Sequence, residues 1–108
     1  MSPDTHAPED ERLFLVERYW PGVDEPMLRA SLPRLDRAVG EVRARGRAVD
    51  HVGSLLVPED QVVFSVIRAE SVELVLEVNE RAGLPVDRVA SVTTLGFRSD
   101  TSEEGEAG

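Results

Sequence analysis

Residues 48–85 read AVDHVGSLLVPEDQVVFSVIRAESVELVLEVNERAGLP, and this stretch decides the fold. Residues 48–57 and 61–69 are rich in branched apolar side chains, whereas residues 58–60 (PED) between them are polar. Two apolar segments joined by so short a turn are typical of a β-hairpin. We therefore predict two antiparallel strands in the middle of the chain.

A helix is predicted directly after this hairpin. Ser71 is a suitable N-cap, Gly83 is suited to the helix end, and Pro85 prevents the helix from resuming. Glu77 precedes Arg81 by one helical turn, a spacing that favours a surface ion pair. The side chains expected to face the core are Val72, Val75, Leu76, Val78 and Ala82.

The chain before the hairpin predicts a first strand and a long helix. Residues 12–20 (RLFLVERYW) are dense in aromatic and branched side chains and end at a Pro-Gly turn. Asp24 is a good N-cap for the helix, and Gly46 is expected to end it. Pro33 removes one backbone hydrogen bond inside this helix, so we expect a kink there or two shorter helices. The apolar stripe consists of Leu28, Leu32, Leu35, Val39 and Val42.

A final strand is predicted over residues 86–97, where β-branched side chains alternate loosely. The element order is then strand, helix, strand, strand, helix, strand. This is the order of the ferredoxin-like βαββαβ sandwich, an α+β fold in which two helices cover one face of a four-stranded antiparallel sheet. We place this domain at residues 12–97. The acidic tails at residues 1–11 and 98–108 are too polar to pack into a core and are predicted to be disordered.

The predicted strands are apolar on both faces. In the first strand Leu13 and Leu15 alternate with Phe14 and Val16, and residues 62–67 of the third strand show the same pattern. Two helices cover only one face of a sheet, so the other face needs a second cover. A second copy of the same sheet, packed face to face about a two-fold axis, is the simplest one. We therefore predict a homodimer of the dimeric α/β barrel kind.

Composition and charge exclude several classes of protein. The 108 residues include no cysteine and no lysine, which removes disulfides, thiolate metal sites and Schiff-base chemistry. Residues 1–11 and 99–108 carry -8 of the net charge of -9, and the arginines of the domain are interleaved with acids. We expect no nucleic-acid partner, because phosphates require a basic stripe. No apolar run approaches the roughly 18 residues of a membrane span, and residues 1–11 lack the bases of a signal peptide, so we expect a cytoplasmic protein with no membrane partner.

Two polar residues of the first strand are candidates for binding a ligand. Strand alternation places Glu17 and Tyr19 on one face of a central strand and Arg18 on the other. In a pocket between the sheet and a partner subunit, Glu17 would act as a protonatable carboxyl or hydrogen-bond acceptor, and Tyr19 would donate a hydrogen bond. The alternative interpretation is structural, with Glu17 or Arg18 paired across the sheet with Arg68 or Asp50.

His51 is the one histidine of the predicted domain and is expected to lie beside Ile67 or Arg68 across the hairpin. A lone histidine beside an arginine is typical of a structural or half-exposed position, and a general-base role is the alternative. No Ser, His and Asp set has a recognisable spacing, and no glycine-rich phosphate loop is present. The candidate ligand-binding residues are therefore Glu17, Tyr19, His51 and Arg68, with no catalytic or metal-ligating residue assigned.

Four short stretches carry a resemblance to a known family. They are residues 14–18 (FLVER), 57–60 (VPED), 69–71 (AES) and, most specifically, 80–89 (ERAGLPVDRV). Together they resemble a largely uncharacterised family of small bacterial ferredoxin-like domains that includes a nickel-binding protein. The resemblance spans about residues 12–97 and implies the ferredoxin-like fold and a dimeric α/β barrel.

Nickel is the metal that this resemblance implies. Nickel sites favour imidazole nitrogen together with carboxylate oxygen. In family members that carry histidines, the alignment places one at Ser54 and another at Leu84 of this sequence, and neither position is a histidine here. His51 is three residues from Ser54 and is expected to point to the opposite face of its strand. We therefore predict no resident cofactor, with nickel as the one metal to test.

Two functions of different classes remain open. In the first, the chain is a dimeric ligand-binding or accessory protein that holds a small molecule, or a metal ion such as nickel, between the sheet and its partner. In the second, it is a cofactor-independent enzyme of the monooxygenase, isomerase or cyclase type. That enzyme would act on a small apolar substrate in the barrel pocket, with Glu17, Tyr19 or His51 transferring protons. A third interpretation is a subunit whose acidic tails dock a larger protein.

Overall fold

A computed structural model describes residues 12–96 of the chain. They form one antiparallel sheet with two helices packed on one of its faces. The predicted tails, residues 1–11 and 98–108, and Phe97 at the end of the predicted last strand lie outside the described residues. The element order is the predicted one, and the α+β ferredoxin-like fold is confirmed.

The sheet has the strand order β2-β3-β1-β4, and all neighbouring strands are antiparallel. β1 and β3 are therefore the central strands, as predicted for β1. The strands are β1 Arg12–Tyr19, β2 Val49–Val57, β3 Val62–Ala69 and β4 Arg88–Val92.

β4 is shorter than the predicted 86–97. Its last residue, Val92, pairs with Leu13, which leaves only Arg12 of β1 to pair with any later residue. At its other end the Asp87 N–H donates to the Glu17 carbonyl, and the Asp87 carboxylate accepts from the Tyr19 N–H at 2.6 Å. The Tyr19 N–H thus donates to a side-chain carboxylate instead of a backbone carbonyl of β4, and the backbone pairing of β4 with β1 begins only at Arg88.

The first helix, α1 Glu25–Arg43, is continuous through Pro33, so of the two alternatives predicted there the split into two shorter helices is wrong. The Asp24 carboxylate caps it by accepting from the Met27 N–H at 2.9 Å. Pro33 removes only the hydrogen bond to the Arg29 carbonyl, and because Pro33 is exposed, water can satisfy that oxygen. The helix ends at Arg43 rather than at the predicted Gly46.

The second helix, α2 Val72–Arg81, begins at the predicted cap, where Ser71 Oγ accepts from the Leu74 N–H at 3.2 Å. The predicted inward position of Leu76 is wrong: Leu74 is 1% exposed and Leu76 is 43% exposed. Leu76 lies two residues from both Leu74 and Val78, which is about 200° around the helix axis, so it points outward when they point inward. The predicted pair of Glu77 with Arg81 is present at 3.0 Å.

The core lies in one layer between the sheet and the two helices. The buried face of β1 contributes alternate residues, and the two helices contribute their apolar stripes. The buried members of this cluster are Phe14, Val16, Leu35, Ala38, Val39, Val42, Val49, Ile67, Ala69, Leu74, Val75, Val78, Ala82 and Leu84.

Two acidic side chains hold segments of the chain together and make stability depend on pH. Glu70 accepts hydrogen bonds from the Ala48 N–H at 3.0 Å and from Arg47 at 3.4 Å, and these two contacts lower its pKa. Hydrogen bonds from Arg81 and Arg45 lower the pKa of Glu77 in the same way. A carboxyl with a lowered folded-state pKa stabilises the fold fully above its unfolded value, about 4.3 for Glu.

We therefore expect the free energy of unfolding to fall as the pH drops below about 4.3 and through the lower folded-state pKa values. Urea unfolding between neutral and acidic pH measures this loss. The double variant Glu70→Gln/Glu77→Gln is expected to lose less stability than the native chain on acidification. Glu59→Gln is the control, because among residues 12–96 no hydrogen bond to the Glu59 side chain is formed. Equal acid sensitivity in the double variant and the native chain would contradict the prediction.

Candidate functional site

The face of the sheet that is turned away from the helices is covered by no described element. We call it the open face. The predicted two-sided apolar character of the strands is confirmed, because Phe14 and Val16 are buried under the helices while Leu13 and Leu15 lie on the open face. Leu55 on this face is 60% exposed. Its apolar side chains, assigned from strand register, are Leu13, Leu15, Tyr19, Leu55, Val57, Val62, Phe64, Val66, Ala90 and Val92.

Glu17 and Tyr19 lie together at one end of the open face, as predicted. Glu17 does not pair with Arg68 or Asp50; its carboxylate lies 3.6 Å from the guanidinium of Arg88, its neighbour on β4. Tyr19 ends β1 and is exposed. The carboxylate of Glu17, the guanidinium of Arg88 and the phenol of Tyr19 therefore border the apolar surface at this end, and none of them is buried.

Arg68 also lies on the open face but at its other end. It pairs with Leu13 of β1, four residues from Glu17, which corresponds to about 13 Å along the strand. Its guanidinium is 3.4 Å from Asp50, so the two residues predicted as partners of Glu17 or Arg18 pair with each other instead. Arg68 and Glu17 therefore flank the open face without meeting.

His51 lies on the other face of the sheet, under α1, and is not part of the same site. It pairs with Ile67, as predicted. Its Nδ1 is 3.2 Å from Asp36 Oδ1 and its Nε2 is 2.9 Å from Ser54 Oγ. The expectation that His51 and Ser54 point to opposite faces is wrong. A β-bulge between His51 and Gly53 inserts one residue into β2 and restores the same orientation three residues later.

The bulge brings together a row of hydrogen-bonded polar side chains that the spacing of these residues in the sequence does not reveal. Asp36, His51 and Ser54 are linked in that order, and Ser54 Oγ lies 2.7 Å from Ser65 Oγ, a buried residue of β3. In serine nucleophile sites, a carboxylate is hydrogen-bonded to an imidazole and the imidazole to a hydroxyl, which is the same order of groups. These residues line neither of the two clefts described below, and their hydrogen bonds tie α1 to the sheet.

A cleft of about 310 Å³ lies on the helix side, where β1 ends. We call it the arginine cleft. Arg18, which alternates with Phe14 and Val16 on the buried face of β1, forms part of its wall and is only 3% exposed. The other lining residues are Tyr19, Trp20, Pro21, Arg34, Gly83, Leu84 and Pro85.

Two neutral acceptors hold the Arg18 guanidinium. It donates to the Pro85 carbonyl at 2.5 Å and to Asn79 Oδ1 at 3.0 Å, while Asn79 Nδ2 donates to the Val75 carbonyl. Burial lowers the pKa of Arg18, and the charge of Asp87 raises it by a smaller amount. Among residues 12–96, no carboxylate oxygen lies within 4.0 Å of this guanidinium. A buried positive charge is therefore held without a direct ion pair.

A larger groove, of about 500 Å³, lies at the opposite end of the molecule. Three arginines line it, but each has an acid nearby: Arg43 and Arg68 face Asp50, and Arg47 faces Glu70. Its positive charge is therefore largely neutralised within the protein.

The described residues do not fit a metal ion at the positions that the resemblance implies. Ser54 is hydrogen-bonded to His51 and Ser65, and Leu84 is buried in the core. Within residues 12–96, no three histidine, cysteine or acidic side chains are grouped closely enough to hold a metal. In the same range no helix is long and apolar enough to cross a bilayer.

Comparison with known proteins extends the description of the fold. No family model and no curated protein matches the chain. The chain is similar in structure to SCO4226 from Streptomyces coelicolor A3(2), whose crystal structure matches with a TM-score of 0.66 at 19% sequence identity. The match covers 78% of this chain and 99% of that chain. At this identity the likeness shows the shared ferredoxin-like fold, and the resemblance to a family with a nickel-binding protein stays a prediction.

Proposed function

We propose that the chain is a small homodimeric ligand-binding protein in which the open faces of two sheets pack together and hold a small ligand between them. The observation that supports this proposal is the uncovered apolar face. Leu15, Phe64 and Val66 lie at its centre on the two middle strands. Contiguous apolar surface of this kind marks an interaction site in soluble proteins.

The size of the open face supports a second copy as its cover. A strand of eight residues in a sheet of four spans about 26 Å by 19 Å, or about 500 Å² of flat area. Two copies would bury about 1,000 Å², at the lower limit for a specific interface. The charged residues of this face are already paired within one chain, Glu17 with Arg88 and Arg68 with Asp50, so its apolar centre carries no charge to desolvate.

The ligand is expected at the end of the face that holds Glu17 and Tyr19. These side chains, with Arg88, offer an acceptor, a phenol donor and a cation beside apolar surface. We infer a ligand with an apolar body and a polar group, held between Tyr19 and the partner sheet. His51 has no part in this site, because it lies on the helix side.

A substitution that introduces one charge at the centre of the open face tests whether the chain dimerises through this face. Leu15→Glu would bury an unpaired carboxylate in the dimer but leave it hydrated in the monomer. We therefore expect the dimer dissociation constant to rise at least about thirtyfold above that of the native chain. Leu76→Glu is the matched control, since Leu76 is an exposed leucine on α2, away from this face. Light scattering after size exclusion measures the mass of each variant.

Two results would contradict the proposal: a native chain that is monomeric at micromolar concentration, or a Leu15→Glu variant that dimerises as well as Leu76→Glu. Native mass spectrometry of the untagged chain, with elemental analysis of the same sample, then identifies what the dimer carries. An organic adduct supports the binding function. A stoichiometric metal would restore nickel as the ligand.

The alternative of a cofactor-independent enzyme receives less support from the geometry. Such an enzyme needs a proton-transfer group that faces a cavity. His51 has the partners of a general base in Asp36 and Ser54, but it lines neither cleft. Glu17 lines neither cleft and would face a cavity only in the dimer, and Tyr19, at the edge of the arginine cleft, is largely exposed. The enzyme hypothesis therefore stays a prediction that depends on the dimer.

A further inference from the structure

The arginine cleft offers a second binding site, distinct from the open face. We propose that it binds a small organic anion, with a carboxylate or phosphate directed at Arg18 and Arg34 and a flat apolar body against Trp20. Two arginines line the cleft and no acidic residue does. The larger groove at the other end has the opposite character, because its arginines face Asp50 and Glu70.

Arg18 supplies the fixed part of the anion site. A guanidinium has five N–H donors, and among the described residues only two of those of Arg18 have acceptors, the Pro85 carbonyl and Asn79 Oδ1. These two contacts orient the group rigidly inside the protein. A buried cation without a carboxylate in direct contact attracts an anion more strongly than a solvated one, because water screens it less.

Arg34 supplies the second guanidinium from the exposed side of α1. Among residues 12–96 it has no carboxylate within 4.0 Å, in contrast to Arg29 on the same helix, which is paired with Glu25. Gly83, another lining residue, has a φ of +72°, and a Cβ there would lie 3.6 Å from Arg34 Nη1. Glycine at this position therefore ends α2 and also keeps the wall next to Arg34 free of a side chain.

The remaining walls suit a flat apolar body. Trp20, Pro21 and Pro85 are rigid apolar side chains, and Leu84 closes the base of the cleft as part of the core. A volume of about 310 Å³ holds about ten non-hydrogen atoms, given about 30 Å³ for each water-sized group. That is the size of an aromatic ring with one carboxylate or phosphate. Planar anions of this kind match the bidentate geometry of arginine.

The site does not depend on the proposed dimer. Arg18 and Arg34 lie on the helix side, and the open face is on the other side of the sheet. The titration described next is therefore run on both the native chain and Leu15→Glu. Equal binding by the two would show that the cleft acts within a single chain, whatever the outcome of the test for dimerisation.

The test uses Trp20, the single tryptophan of the chain, as the reporter. Phenyl phosphate and benzoate are titrated into the full-length protein, with benzamide as the neutral analogue, and fluorescence is checked by calorimetry. We expect saturable binding of the anions with a Kd of about 0.1–1 mM, from the affinity that about ten atoms can supply. The tighter of the two anions identifies phosphate or carboxylate as the preferred group.

Arg34→Gln is expected to weaken anion binding about tenfold, since it removes a charge-assisted pair of hydrogen bonds. Arg37→Gln is the matched control, because Arg37 is an exposed arginine on the same helix that does not line the cleft. Three results would overturn the inference: no saturable binding of either anion up to about 10 mM, equal binding of benzamide, or equal affinity in Arg34→Gln and Arg37→Gln.

Discussion

Asn79→Leu is expected to lower the free energy of unfolding by about 3 kcal/mol. Asn79 is fully buried, and its Oδ1 is the acceptor that faces one arm of the Arg18 guanidinium. Leucine has the same branched shape as asparagine and is somewhat larger, so the loss is not that of a cavity. It arises because a buried cation is left with the Pro85 carbonyl as its remaining acceptor. Asn79 is fully buried and does not line the cleft, so water has little access to the position of the lost acceptor.

The double variant Arg18→Met/Asn79→Leu separates the charge from the packing. With both polar groups replaced by apolar ones, no charge is left without a partner, and we expect about 2 kcal/mol of the loss to be regained. Urea unfolding of the native chain, the single variant and the double variant measures these differences. A double variant less stable than Asn79→Leu alone would show that Arg18 stabilises the fold by some contact other than this one.

Leu74→Ala is expected to cost about 3 kcal/mol of stability, and Leu76→Ala no more than about 0.5 kcal/mol. Leu74 is packed in the core between α2 and the sheet, so its truncation removes buried apolar surface and leaves a cavity. Leu76 is on the same helix and is largely exposed, so its truncation removes little buried surface.

These two leucines form a matched pair, because the substitution, the helix and its propensity are the same. Thermal and urea unfolding of both variants, compared at the same concentration, give the difference directly. Similar losses in the two variants would mean that α2 is rotated about its axis. A large loss at Leu76 that depends on protein concentration would instead indicate that this residue is covered in an oligomer.

The fold could be predicted from local signals, because most element boundaries carry their own residue types. Ser71 and Asp24 cap helices where they were expected to, and the short 58–60 turn joins two paired strands. The limits of β4 were not predictable, since they depend on where β1 begins and on a carboxylate from Asp87. The continuity of α1 through Pro33 depends on that residue being on the exposed side.

The candidate sites were only partly predictable. The shared face of Glu17 and Tyr19 follows from strand alternation, and so does the position of Arg18 on the opposite face. Which of the two faces the helices cover, and hence the burial of Arg18, does not follow from it. The hydrogen-bond partner of Arg18 could not be predicted from alternation. Asn79 is 61 residues away, and the direction of its side chain depends on the rotation of α2 about its axis. For His51, simple alternation fails because the bulge adds a residue to β2, and a glycine inside a strand, here Gly53, is the available signal.

The bulge in β2 has a further consequence for how the chain behaves when it is concentrated. β2 and β4 are the two edges of the sheet, and each exposes backbone groups that another strand could pair with. The bulge interrupts this row on β2, and β4 has only five residues. Both edges are therefore poor templates for strand addition, which is the step that leads from a folded sheet protein to fibrils.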